Sequence, residues 1–184
     1  LSVMVGVLLC ASGCIKMKDV LQINADGSGY WDMTVVLSPR MVQMEESGQG
    51  GGNFAKTKEE AQARIADAEG VKLESFSMKE DMTTGRTVKA KYTFKSLAGL
   101  LKSGLGKQIG WKFSREADEL VVRMPNDSGG PDADMSDEQL AQMKKMMKGL
   151  DLDRTLILPN AITKIKDAKK TGPKKAHAKL ELTD

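Results

Sequence analysis

The chain has little with which to perform covalent chemistry. Among its 184 residues there is one histidine, His177, two cysteines, and an aromatic content of only 4%. A single His, set among lysines, supports neither a Ser-His-Asp triad nor a His-built metal site, and it reads as a solvated side chain. Both cysteines, Cys10 and Cys14, fall within the first fourteen residues, so the body of the chain has no thiol nucleophile. Carboxylates are plentiful, but they sit in turns and first turns of helices, where capping and solubility account for them, and no acid/base pair stands out. The glycines fit no phosphate loop. Gly104-Leu-Gly106-Lys107 has Leu101 where the first P-loop Gly belongs and Gln108 where Ser or Thr belongs. Ile109 likewise breaks a dinucleotide fingerprint. The expectation is a protein that is not an enzyme and uses no cofactor and no metal.

What is present begins at the N-terminus. Leu1 to Cys14, LSVMVGVLLCASGC, is an uncharged apolar run too short to span a bilayer and of the length of a secretory h-region. Its end, Ala11-Ser12-Gly13-Cys14, resembles the lipobox of bacterial lipoproteins. Small residues before the cut admit the backbone to a signal peptidase, and Cys14 supplies the sulfur that takes the diacylglycerol. Two or three acyl chains such as palmitate, at about 0.8 kcal/mol per buried methylene, anchor far more firmly than one. Residues 1–13 are therefore expected to be a signal peptide, with a few basic residues preceding Leu1 in the natural protein. Cys10 would leave with it, and the single remaining Cys, already a thioether, excludes a disulfide. The expected location is the bacterial cell envelope, on the periplasmic or outer face of a membrane.

Residues 14–159 suit one domain. Lys16 to Ala25 and Tyr30 to Ser38 alternate as strands around Asp26-Gly27-Ser28-Gly29, a tight hairpin signature. A short helix starts at Pro39, and residues 47–52 form a Gly-rich linker. Thr57 and Glu60 form a capping box for an Ala-rich helix to Glu69, with Ala61, Ile65 and Ala68 inward and Gly70 as its stop. A second hairpin joins Val71–Lys79 to Arg86–Lys95, where Val88, Ala90, Tyr92 and Phe94 alternate with lysines. Ser96 caps a helix to Lys102. Ile109, Trp111 and Phe113 then share a strand face, with Leu120, Val122 and Met124 on the return strand. A capping box at Ser136 and Gln139 opens a helix to Lys148, and Leu152 to Leu158 is a strand. The order hairpin, helix, hairpin, helix predicts an α+β domain, a largely antiparallel sheet built from hairpins with helices packed on one face.

Three features remain. Asp132-x-Asp134-x-Ser136 opens like an EF-hand loop, but Asp137 replaces its glycine and Met143 its bidentate glutamate. Met143, Met146, Met147 and Leu150 line one side of the later helix. Such a stripe is more often core than groove, yet it is the candidate ligand-facing surface. Residues 160–184 form a basic tail, with seven lysines against Asp167 up to Leu180, and Ala178, Leu180 and Leu182 alternate as one more strand. The tail suits either a solvated segment or contact with anionic headgroups. Nucleic acid is excluded as a partner, because no aromatics interleave with those lysines.

The run Gly13-Cys14-IKMKDVLQINADGSG29, followed by a strand and a short helix, resembles the start of LppM-like bacterial lipoproteins. Leu152-DRTLILPN160 is similar to a later strand of that family. The resemblance implies an envelope-anchored α+β domain associated with lipids or glycolipids, without catalysis. The expected partners are the membrane, through Cys14, and a lipid or other amphipathic ligand. The alternative is an assembly module that contacts proteins or the membrane face through its basic tail.

Overall fold

The structure, a computed structural model, describes residues 15–48, 54–109, 112–116, 119–123, 149–165 and 168–181. The lipobox, residues 49–52 of the linker, Trp111, Met124, the Asp132–Ser136 loop and the helix expected over 136–148 lie outside them.

The elements run β1 (Ile15–Ile23), β2 (Gly29–Leu37), α1 (Pro39–Glu46), α2 (Lys58–Ala63), β3 (Val71–Asp81), β4 (Gly85–Phe94), α3 (Leu97–Lys102), α4 (Gly104–Ile109), β5 (Lys112–Glu116), β6 (Glu119–Arg123), β7 (Leu150–Ile157), β8 (Lys169–Gly172) and β9 (Lys175–Glu181). Seven strands make one sheet in the order β3-β4-β2-β1-β7-β9-β8, and β5-β6 make a separate two-stranded ribbon. Every neighbouring pair is antiparallel except β1 and β7, which run parallel from Ile15 beside Leu150 to Gln22 beside Ile157. The fold is α+β, with the described helices on one face of a mostly antiparallel sheet.

Period-two alternation decides which face they cover. Leu21, Trp31, Val35, Leu37, Tyr92 and Phe94 are all buried and join one core with Val42 of α1, Leu100 of α3 and Leu105 of α4, and Val88 is buried on the same face. The opposite face is polar. There Lys16, Lys18, Asp32 and Lys89 are exposed, and Lys91 lies over the Tyr30 ring at 5.2 Å while pairing with Glu74 at 3.1 Å. This is the one-sided burial expected of an antiparallel sheet.

Local chemistry explains the boundaries. Ser38 accepts from the Met41 N–H with Pro39 opening α1, and Ser96 accepts from the Gly99 N–H at 3.1 Å to open α3. Thr57 caps α2 as expected, but Glu60 reaches back to the Lys56 N–H at 2.6 Å, one residue beyond the usual box partner.

Several expectations are corrected. The β1–β2 connection is a five-residue loop, Asn24 to Ser28, closed by Asn24 N–H to the Ser28 carbonyl, so Gly27 at φ +81° serves a longer turn than the tight one expected. The helix expected to Glu69 ends at Ala63. Beyond it, Ile65, Ala66 and Ala68 donate to carbonyls three residues back, and the freed Arg64 carbonyl accepts from the Leu105 N–H at 3.2 Å. Ala61, Ile65 and Ala68 are nonetheless all buried. Ile109 ends helix α4 rather than opening a strand. Leu150 belongs to β7, not to a helix: Gly149 turns the chain at φ +81°, and Leu150 pairs with Ile15. The basic tail supplies two strands, β8 and β9, which extend the sheet beyond β7. Exposed lysines at 169, 170 and 175 line this outer hairpin, a charge pattern that discourages edge-to-edge pairing.

Candidate functional site

The core is not filled throughout. Between the sheet and the segments above it lies a cavity of about 340 Å³, within the size range of small-ligand sites. Its floor comes from three rows across the sheet: Met17 and Val88, then Met33, Ala90 and Phe76, then Trp31 and Tyr92. Phe54, Ala55 and Leu105 contribute to the opposite side, and Arg64 is the charged member of the lining.

Each wall residue is placed by a local rule. Trp31 and Met33 follow from the alternation of β2, and Ala90 and Tyr92 from that of β4. The Trp31 and Tyr92 rings stack with centroids 6.1 Å apart at 26°, forming a flat aromatic end. The small side chain of Ala90 between them and Val88 leaves room that a larger residue would fill. Arg64 sits where α2 gives way to tighter turns. Leu105 follows Ser103, whose hydroxyl accepts from the Gly106 N–H at 2.9 Å. A Cβ on Gly106 would meet the Leu100 carbonyl oxygen at 2.0 Å, so that glycine is needed for close packing of α3 on α4. It is not the remnant of a phosphate loop.

The electrostatics are sparse and directional. Burial raises the Tyr92 hydroxyl above its ordinary value, and the nearby Arg64 charge offsets part of that rise. The ring therefore stays neutral at physiological pH. Next to Met17, Asp19 is 1% exposed, accepts from the Trp31 indole N–H at 3.3 Å and lies 3.7 Å from the Arg154 guanidinium across the β1–β7 seam. Arg154 also approaches the Met17 sulfur at 3.9 Å. A buried pair of this kind fixes orientation at a desolvation cost and is weak evidence of net stability.

The expected site residues fare unequally. Ala11, Ser12, Gly13, Cys14, Met143, Met146 and Met147 lie outside the described residues. Leu150 is half-buried in β7 beside Ile15, away from the cavity lining. His177, expected to be solvated, is part-buried on β9 with its Nε2 2.8 Å from Asp153 Oδ1 on β7. Among the described residues no cluster of His, Cys, Asp and Glu could hold a metal ion, and no helix is long and apolar enough to cross a membrane. The cavity itself was missed, although most of its walls are legible as a core face. Alternation marks which residues point inward, and nothing in it marks where they fail to meet.

The fold is a one-sided α+β sheet whose covered face carries a half-open, largely apolar cavity. Among solved structures, the chain is similar to the NMR structure of the Mycobacterium tuberculosis LppM folded domain, with a TM-score of 0.48 and 10% identity over 92% of this chain and 84% of that one. No protein-family model matches the chain, and no curated protein matches it.

Proposed function

We propose that this chain is a non-enzymatic lipoprotein of the bacterial cell envelope, anchored by acyl chains on Cys14, whose α+β domain holds a lipid or similar amphipathic ligand. The observation that carries the binding half is the cavity. Its lining of Met17, Trp31, Met33, Phe54, Phe76 and Tyr92 suits an apolar body, and Arg64 suits an anionic or polar head. Methionines line it on one side, and their soft, adaptable side chains tolerate chains of different shape. The anchoring half rests on the Ala11-Ser12-Gly13-Cys14 sequence.

Native mass spectrometry of the mature protein, purified from its host envelope, tests the reading. A bound mass that extracts into organic solvent and matches a lipid is the expected result. Ala90→Trp, which fills the cavity, should abolish the bound mass, and Arg64→Gln should reduce uptake of anionic lipids more than of neutral ones. A bare polypeptide that gains nothing on addition of host lipids would overturn the binding reading and favour an assembly module with protein partners.

A further inference from the structure

The β3–β4 hairpin ends in Asp81-Met82-Thr83-Thr84-Gly85, a tip that is rigidly built yet shows an apolar side chain to water. Met82 is 97% exposed. The Asp81 carboxylate accepts from the Thr83 and Thr84 backbone N–H groups at 2.8 and 2.9 Å, which fixes the turn. Gly85 stands at φ +86°, and a Cβ there would lie 2.0 Å from the Leu37 carbonyl oxygen, so the tip rests on the β2–α1 junction. At its base the buried Arg86 guanidinium is ion-paired with Glu45 and Glu80. A tip held this way cannot fold Met82 back onto the core, and its exposure adds nothing to the stability of the domain.

Register shows where the tip points. Ile15 pairs with Leu37, Leu37 with Arg86 and Arg86 with Glu80, so these four residues form one row at one end of the sheet. Ile15 is the residue bonded to Cys14. The tip extends past the same row, displaced sideways by two to three strand spacings, about 10–14 Å. Exposed Lys16, Arg40 and Lys79 border that end, while the nearby carboxylates of Glu45, Glu46 and Glu80 face Arg86 and that of Asp81 is held by the turn.

We propose that the β3–β4 tip is a second membrane contact, docking on a bilayer of anionic phospholipid, and this rests on the reading that Cys14 carries the diacylglycerol. An anchor on one residue leaves the domain free to swivel, whereas a second contact sets its orientation. Met82 enters the headgroup–acyl boundary, and Lys16, Arg40 and Lys79 meet the anionic headgroups, an attraction that salt screens. The domain then stands end-on, with the Met17–Val88 row of the cavity two residues, about 7 Å, above the membrane-facing row. Such a stance brings the chamber next to a source of lipid.

The test uses the mature lipidated protein reconstituted in phosphatidylglycerol–phosphatidylcholine vesicles. Met82→Cys carrying an environment-sensitive NBD label is compared with Ser77→Cys, an exposed site farther up β3, and intact mass reports the acylation of Cys14. The expected result is a blue-shifted, brightened emission at position 82 that weakens in high salt, with water-like emission at position 77. Water-like emission at position 82 on an acylated protein overturns the tip contact and leaves the anchor standing. Blue shifts at both positions overturn the end-on stance. An intact mass without the diacylglyceryl addition overturns the anchor, and the tip proposal with it.

Discussion

The two halves of the seven-stranded sheet both alternate along their strands but differ in burial. On β2 and β4 the inward residues Trp31, Val35, Leu37, Val88, Tyr92 and Phe94 are buried, with α1 packed on both strands and α3 on β4. On β7 the inward residues Leu150, Leu152 and Arg154 are only half-buried, and of that face Leu156 alone is fully enclosed. Burial of a strand follows what packs on it, and the apolar content of β7 does not by itself make a core. Ligand-sized space opens under the covered half, where Phe54, Arg64 and Leu105 stand off the sheet.

Paired truncations give the largest contrast. Trp31→Ala should destabilise the domain by about 3–5 kcal/mol, the range for deleting a buried aromatic residue, and should also remove the aromatic end of the cavity. Leu152→Ala, at a half-buried site, should cost about 1 kcal/mol. Urea denaturation followed by circular dichroism measures both. Equal losses would show that the two halves are covered alike.

The seam between the halves provides the next test. Asp19→Ala removes the buried carboxylate that faces the Arg154 guanidinium across the seam and is expected to cost about 3 kcal/mol. The double variant Asp19→Leu, Arg154→Leu should recover most of that loss. A double variant as unstable as the single one would mean that the pair stabilises the β1–β7 contact outright. Gly85→Ala should cost about 1–3 kcal/mol, since it places a side chain at φ +86° against the Leu37 carbonyl. A variant as stable as the parent would show that the tip is not seated on the β2–α1 junction.

The same comparison explains what could be read from the amino-acid order. The β1–β2 and β3–β4 hairpins are legible because pairing between neighbours in sequence needs only alternation and a turn residue, and Gly27 and Gly85 supply the turns. Parallel pairing of β1 with β7 is not legible, because it joins Ile15 to Leu150 across the whole chain and no local pattern selects that partner. Helix α2 stops six residues before Glu69 for a similar reason. Alanine content favours a longer helix, but the contact of the Arg64 carbonyl with Leu105 and the i−3 bonds after it override the local preference. Arg64 thereby reaches the cavity from a position that periodicity assigns to a plain helix face. The expected Met143, Met146 and Met147 stripe lies outside the described residues, and the lining described above comes from other positions. Within that lining the small Ala90 stands beside large residues, Trp31, Met33 and Tyr92, a juxtaposition that alternation along a strand does not reveal.

The smallest expected effect lies at the rim of the covered half, in the pH response of the β3–β4 tip. Hydrogen bonds from the Thr84 and then the Thr83 backbone N–H hold the Asp81 carboxyl below its ordinary value of 3.8. A group whose pKa is lower in the folded state binds fewer protons there than in the unfolded chain. Its stabilising contribution is therefore complete above the ordinary value and fades as the pH falls through the folded one. Loosening of the turn should begin only below about pH 4, because the unfolded reference for an aspartate lies there. Amide proton shifts of Thr83 and Thr84, followed by NMR from pH 6 downward, should titrate together with the Asp81 carboxyl, and Asp81→Ala should abolish the common transition. Asp26, held low first by the Ser28 hydroxyl and then by the Ser28 N–H, provides the internal comparison at the opposite end of the sheet. If Thr83 and Thr84 respond at a higher pH than Ser28 does, the tip carboxylate is the less firmly held of the two, and Gly85 and Arg86 carry more of the rigidity of the Met82 turn.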